Sequence, residues 1–426
     1  MFKVKEYLYI LLMTVLILLA NGIFSIGYEK NQLDAPSISN KSALAYELSG
    51  KNRSVPEYWI DQWAFAQSPP FRYRLLGKLP IIATYKLLSQ FCENILDAFY
   101  YSFLAWTGIY LYFFLLAAGR LTVEFISSHG LSEKQNRLRI FCLASTLLAL
   151  SPPLLYAFKF PVHGNPNDIL GYLLIALSLL SLIRDDLPGF VINTVLGIFC
   201  RETNLIVLLP LLFMTDIKVS KRIGIVALIG SIFSLYRLCW PGHYNPLGGA
   251  AHNLEYPIES LLFLFMVFGP FWLLGWLGYN GAKNIRLQTN GYVRAVASTF
   301  YLTPVIVTAI VFFLARVREI RIEFILFFYF IPYSVIYLMN NWQSWLRIIP
   351  SYRFALAMLA VAVLNFHLFA FLMPPNPAFP DTLIHFFGYY GGGWYLNFIP
   401  YLASTMTVLV LIIFKHSTKC SAYSRS

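Results

Sequence analysis

The chain has 426 residues, of which 58% are hydrophobic and 12% charged, and its mean hydropathy is +0.62. A soluble domain carries about 25% charged residues, so the composition excludes one and indicates a polytopic helical membrane protein. The net charge of +12 comes without a basic run interleaved with aromatics, a zinc finger or an RNA-binding signature, which excludes nucleic acid as a partner. Short alternating strands are absent, which excludes a β-barrel.

Lys3 and Lys5 precede the apolar run EYLYILLMTVLILLANGIFSIGY. It is long for a signal peptide and ends without an evident small-x-small cleavage site, so it reads as an uncleaved span. Spans are predicted at 6–27, 98–118, 138–158, 168–183, 223–240, 257–280, 295–314, 324–340, 354–373 and 398–414. Each is near the length a bilayer requires. The expected fold is all-α: one integral-membrane domain over 1–426, with about ten full spans and a long first outer loop at 28–97. Within that loop, Leu75, Leu76, Leu79, Ile82 and Ala83 fall on one helical face, with Lys78 and Lys86 on others. This pattern suits a helix lying in the headgroup plane.

With the N-terminus in the cytoplasm, the inside loops hold 18 of the 32 basic residues. Eight more lie in the long first outer loop, and six are left for the short outer loops and the membrane. The positive-inside rule is satisfied, and both termini are expected in the cytoplasm of a multi-pass protein of the plasma (inner) membrane. Both flanks of 189–214, RDDLP at 184–188 and DIKVSKR at 216–222, then belong inside. A helical hairpin over 189–214 meets that condition. Each arm of about 12 residues reaches ~18 Å, past the midplane of a ~30 Å core. Arg201 and Glu202 sit at its tip, and ionisable residues at membrane depth usually mark a site. The alternative is one 26-residue span with a buried Arg–Glu pair.

Other charges gather on the outer side. Arg72 and Arg74 precede the interfacial helix; they suit an anionic lipid phosphate, because the guanidinium is a bidentate fork, or they simply anchor the interface. In KFPVHGNPNDILGY (159–172), Asn167–Asp168 reads as a helix cap or as part of a site, and His163 as a loop residue. ARVREIRIEF (315–324) carries Arg316, Arg318, Glu319, Arg321 and Glu323 between two apolar spans. Outer basic residues ask for a reason, and a phosphate-bearing ligand or a self-satisfied Arg/Glu ladder supplies one. No Walker A, HExxH, GxSxG or TVGYG motif occurs, nor a convincing inverted repeat. The five cysteines form no CxxC and suggest neither a disulfide framework nor a zinc site.

PPFRYRLL (69–76), NDILGYLLIALSLLSLIRDD (167–186), RETNLIVLLPLL (201–212) and REIRIEF (318–324), in that order, resemble the GT-C superfamily of integral-membrane glycosyltransferases, in particular its bacterial polyprenyl-phosphate-sugar-dependent members. The resemblance covers most of the chain in architecture, and its motifs are short. It implies an inverting transfer of one sugar from a polyprenyl-phosphate donor to a glycan, lipid or protein acceptor on the outer face. It implies a carboxylate base in the first outer loop, with Asp61 first, Asp34 a competitor and Glu57 weaker. A paired acidic motif after the first span is replaced here by Asp34 alone. It points to Arg72, Arg74, Arg201, Arg318 and Arg321 for the lipid phosphate, with Glu202 and Glu319 orienting arginines and Asp168 and His163 in support. No cofactor is fixed by the sequence: carboxylates suited to a divalent metal are present, without a spacing that defines a site. Two other classes stay open, a polysaccharide polymerase or ligase-like enzyme and a lipid or solute transporter.

Overall fold

The structure is a computed structural model that describes residues 2–33, 76–93, 95–128, 136–149, 151, 166–239, 250–251, 253–254, 268–282, 290–314, 324–372 and 403–415. Every regular element among them is a helix. In chain order they include α1 (Phe2–Leu33), α2 (Leu79–Leu88), α3 (Ile95–Ser128), α4 (Arg137–Ala149), α5 (Pro166–Ile183) and α6 (Leu187–Cys200). A 3₁₀ segment (Glu202–Val207) leads into α7 (Leu208–Phe213) and α8 (Val219–Cys239). Then come α9 (Pro270–Ala282), α10 (Gly291–Ser298), α11 (Leu302–Leu314), α12 (Ile325–Ile348) and α13 (Tyr352–Leu372), and finally α14 (Ala403–Lys415).

Two stretches are long and apolar enough to cross a membrane: Asp97–Ser128 of α3, 72% buried, and α8, 11% buried. The pair α10 and α11, bent by 70°, makes a third if it is one span. Several predicted spans fall partly outside the described residues, and others form helices of 10–17 residues, such as Asn167–Ile183 and Leu187–Cys200.

The chain divides into two compact units, Met1–Pro246 with Leu287–Val307, and Leu247–Arg286 with Thr308–Ser426. In the first, α3 is the central post, packed by α1, α2, α4 and α5, and α5 in turn packs on α6. Helix α2 rests on α3 through Ile81, Ile82 and Tyr85 against Ala98, Phe99 and Phe103. The indole of Trp106 donates to Thr84 Oγ1 at 2.8 Å. The turn from α5 to α6 takes three residues. Asp185 adopts φ 58°, a left-handed conformation that Asp tolerates better than most residues. Asp186 then caps α6 by accepting from the Gly189 amide at 3.0 Å, and Pro188 occupies the first turn, where its missing N–H costs nothing.

In the second unit, α9 lies against α12. Phe268 and Phe271 meet Phe327, and Trp272 meets Phe330, at ring separations of 4.6–5.5 Å. The backbones approach so closely that a Cβ on Gly278 would stand 1.9 Å from the Tyr333 carbonyl oxygen. Pro332 is accommodated inside α12, as membrane helices allow when neighbours satisfy the freed carbonyl.

Candidate functional site

Two groups of charged contacts stand out in the first unit. At one end, Arg184 Nε donates to both Glu124 carboxylate oxygens at 3.0 and 3.1 Å; this contact first, and the charge of Glu124 with it, holds the guanidinium above its ordinary pKa. Asn290 Nδ2 donates to the Ile183 carbonyl at 2.7 Å. Arg294 pairs with Asp216, Gly291 makes room for that carboxylate, and Arg222 donates to the Leu212 carbonyl. The end of α5 and the stretch that leads on from α7 therefore meet the same short element, Asn290–Arg294. The segment between them runs out and comes back.

The other group lies at its turning point. Helix α6 ends at Cys200, and Arg201 is extended, with φ −164° and ψ 132°. Arg201 Nη1 donates to Asp168 Oδ1 at 2.6 Å, with the two side chains 3% and 2% exposed. Asp168 lies in the first turn of α5, where the helix dipole also favours its charge. Arg201 Nε is buried without a hydrogen-bond partner among the described residues.

Helix lengths give the separation of the two groups. The outward arm α6, with 14 residues, spans ~21 Å. The return arm, six residues of 3₁₀ and six of α7, also spans ~21 Å. Along α5, the rise from Ile183 to Asp168 is ~22 Å, and along α8, from Arg222 to Arg237, also ~22 Å. On α3, Glu124 belongs to the first group and Tyr110 to the other, ~21 Å apart. The five helical stretches have similar lengths.

Asn204 fixes the return. Its amide donates to the Arg201 carbonyl at 3.1 Å, and its Nδ2 to the Gly171 carbonyl at 3.4 Å. The side chain is 2% exposed and fills a notch between two helices: a Cβ on Gly197 of α6 would stand 2.5 Å from Asn204 Nδ2, and one on Gly171 of α5 3.5 Å from its Oδ1. Next to Asp168, Asn167 Oδ1 accepts from the Gly77 amide at 2.7 Å, while the Tyr110 hydroxyl donates to the Gly77 carbonyl at 3.3 Å. A side chain on Gly77 would collide with Asn167, at 2.7 Å. Lys78, the next residue, is 1% exposed. A buried ammonium is tolerated only with partners.

The neighbour of Arg201 turns the other way. Glu202 pairs with Arg237 of α8 at 3.6 Å, the side chains being 23% and 27% exposed. Phe199 meets Tyr236 edge to face at 4.7 Å. The tip is thus held between α5 and α8 by two ion pairs of opposite polarity.

Of the residues singled out in the sequence, the structure brings Arg201 and Asp168 together and sets Glu202 against Arg237. Glu202 was expected to orient Arg201; the carboxylate on that guanidinium is Asp168. Asn167 and Asp168 do not cap α5, which begins at Pro166; they lie inside its first turn and face Gly77 and Arg201. Asp34, Asp61, Arg72, Arg74, His163, Arg318, Glu319 and Arg321 lie outside the described residues. Among the described residues, no cluster of three or more metal-ligating side chains occurs. Lys78, Tyr110, Asn204 and Arg237 were not singled out. The charge tally already left Arg237 among the six basic residues assigned to neither the inside loops nor the first outer loop. No family model, curated protein or solved structure matches the chain.

Proposed function

We propose that the chain is an integral-membrane glycosyltransferase that moves one sugar from a polyprenyl-phosphate donor to a glycan, lipid or protein acceptor on the outer face of the membrane. The observation that carries this reading is the buried Arg201–Asp168 pair at the turn of a helical hairpin, ~21 Å from the contacts of Arg184 and Arg222, which the reading assigns to the cytoplasmic side. Charge buried at that depth is expensive unless it serves a site.

Inversion at an anomeric carbon needs a carboxylate near the acceptor and stabilisation of the departing phosphate. Asp61, with Asp34 as competitor, is assigned the first task. Arg201 is assigned the second, with its uncommitted Nε edge. Asp168 holds the Arg201 guanidinium in place. A bilayer delivers its lipids laterally, so a donor phosphate meets the protein at headgroup depth. The proposal includes about ten full spans, the 189–214 hairpin as a re-entrant element, and cytoplasmic termini in the inner membrane.

The test is a lipid and glycan analysis after deletion of the gene, with complementation by wild-type or Asp61→Asn protein. Accumulation of a monophosphate-linked sugar, with that sugar missing from a surface glycan and restored only by the wild type, is the expected result. Unchanged lipids and glycans, with expression in the parent strain verified, would overturn it in favour of a transporter.

A further inference from the structure

We propose that Arg237 receives the donor's phosphate as it arrives from the bilayer, and that Glu202 holds this guanidinium in place until then. The inference rests on the glycosyltransferase reading and names a binding residue for it. Three observations carry it.

The first is accessibility. Arg201 is 3% exposed and committed to an equally buried carboxylate. An incoming lipid anion cannot reach it without the tip opening. Arg237 is 27% exposed, and its contact with Glu202, at 3.6 Å, is longer than a charge-assisted hydrogen bond of about 2.7–2.9 Å. A loose pair, with side chains 27% and 23% exposed, is worth little and exchanges its carboxylate for a phosphate at small cost.

The second is position. Arg237 lies in the last turn of α8, the apolar helix of which only 11% is buried. Its neighbours Leu235 and Leu238 are 62% and 75% exposed. This helix presents its surface to whatever solvent surrounds the bundle, and for 21 residues of this hydropathy that solvent is lipid. The guanidinium therefore stands at the boundary between lipid and site, ~22 Å along α8 from Arg222 in the first group of contacts. A long basic side chain near a helix end reaches the headgroup region in this way.

The third is continuity. Glu202, the partner of Arg237, is covalently next to Arg201, and Tyr236 packs on Phe199. A phosphate on Arg237 thus begins within one residue of the buried pair. The order of events is capture by Arg237, release of Glu202, and approach to Arg201. Capture precedes chemistry, so Arg237 governs the KM for donor, while Arg201 governs kcat.

The experiment is a titration of the purified full chain, in detergent, with undecaprenyl phosphate, followed by native mass spectrometry. Arg237→Ala is expected to weaken binding about tenfold or more, the loss of a charged hydrogen bond. Arg237→Lys is expected to fall between it and the wild type, because it keeps the charge and loses the fork. Glu202→Gln is expected to bind about two- to fivefold more tightly, since it removes the competitor. That sign separates capture from a structural ion pair, whose loss weakens binding from either side. Wild-type affinity in Arg237→Ala, or weaker binding in Glu202→Gln, would overturn the inference. Absence of binding by the wild type would overturn the glycosyltransferase reading beneath it. Should Arg237→Ala fail to fold, the lysine and Glu202→Gln variants still decide.

Discussion

Replacing Asp168 by Asn tests whether the centre of the tip is the buried ion pair described here. The substitution is nearly isosteric and leaves a guanidinium, 3% exposed, without a counter-charge. A surface pair contributes about 0.2–1 kcal/mol, and that figure does not apply at this burial. Removing one partner of a buried pair costs about 3–5 kcal/mol, because the remaining charge stays desolvated. Domains of 150–250 residues lose about 2–4 °C of Tm per kcal/mol. Asp168→Asn should therefore lower the unfolding temperature by roughly 6–20 °C.

Thermal unfolding in detergent can be followed with a thiol-reactive dye, because Cys200, the residue before Arg201, is buried and free. The informative companion is the double variant Asp168→Leu with Arg201→Met. It removes both charges and fills the space, so its stability should return to within about 1–2 kcal/mol of wild type or exceed it. Its transferase activity should stay lost, because the cation assigned to the departing phosphate is gone. A single variant that melts within about 1 °C of wild type would refute the burial argument. A stable double variant that still transfers sugar would refute the chemical role of Arg201.

The glycines give a graded test. Gly197→Ala should cost about 1–3 kcal/mol, since its Cβ meets Asn204 Nδ2 at 2.5 Å, and Gly278→Ala should be worse, since the obstacle is the Tyr333 backbone. Gly230→Ala, with nothing within 4 Å, should stabilise α8 by up to about 1 kcal/mol; equal Tm losses at all three positions would refute the packing described. For topology, Arg184→Cys and Lys218→Cys should both react with a membrane-impermeant maleimide from the cytoplasmic side only. Labelling of the two from opposite sides would replace the re-entrant hairpin with a single crossing.

The helices were legible because lipid removes every other choice: a backbone in hydrocarbon must satisfy itself, and apolar runs of sufficient length therefore mark helices. The tip at Arg201 was legible for a different reason. Alternation of spans places the 184–188 flank inside, and the basic 216–222 flank asks for the same side, so a turn between them is the expectation. The pairing was not legible. Asp168 and Arg201 are 33 residues apart, and a single sequence carries no signal that joins them, whereas Glu202 is adjacent and so attracted the assignment. Adjacent residues on an extended backbone point to opposite sides, and here that geometry sends Arg201 to α5 and Glu202 to α8. Lys78 misled in a similar way. It fell off the apolar face of an amphipathic pattern, which reads as solvent. Yet it precedes α2, and the contacts of Gly77 with Asn167 and Tyr110 draw it inward.

The break at Arg201 also explains why the hairpin tolerates charge at all. A continuous helix over 189–214 would present the 201–202 pair on its own surface, and partners would have to come from neighbouring helices at the membrane midplane. Breaking the helix there frees carbonyls and amides at the cost of orphaned backbone groups, which Asn204 and the 3₁₀ turn re-engage. The gain is that two adjacent side chains diverge and each finds an oppositely charged partner. Asn204 then supports the arrangement, because it ties the turn to α5 through the Gly171 carbonyl and to α6 through the Gly197 notch. A side chain of the same shape without the amide donor, Asn204→Leu, would keep the notch filled and lose the bond to Gly171. It should weaken the turn by about 1 kcal/mol or more and leave the apolar core of α3 and α5 intact.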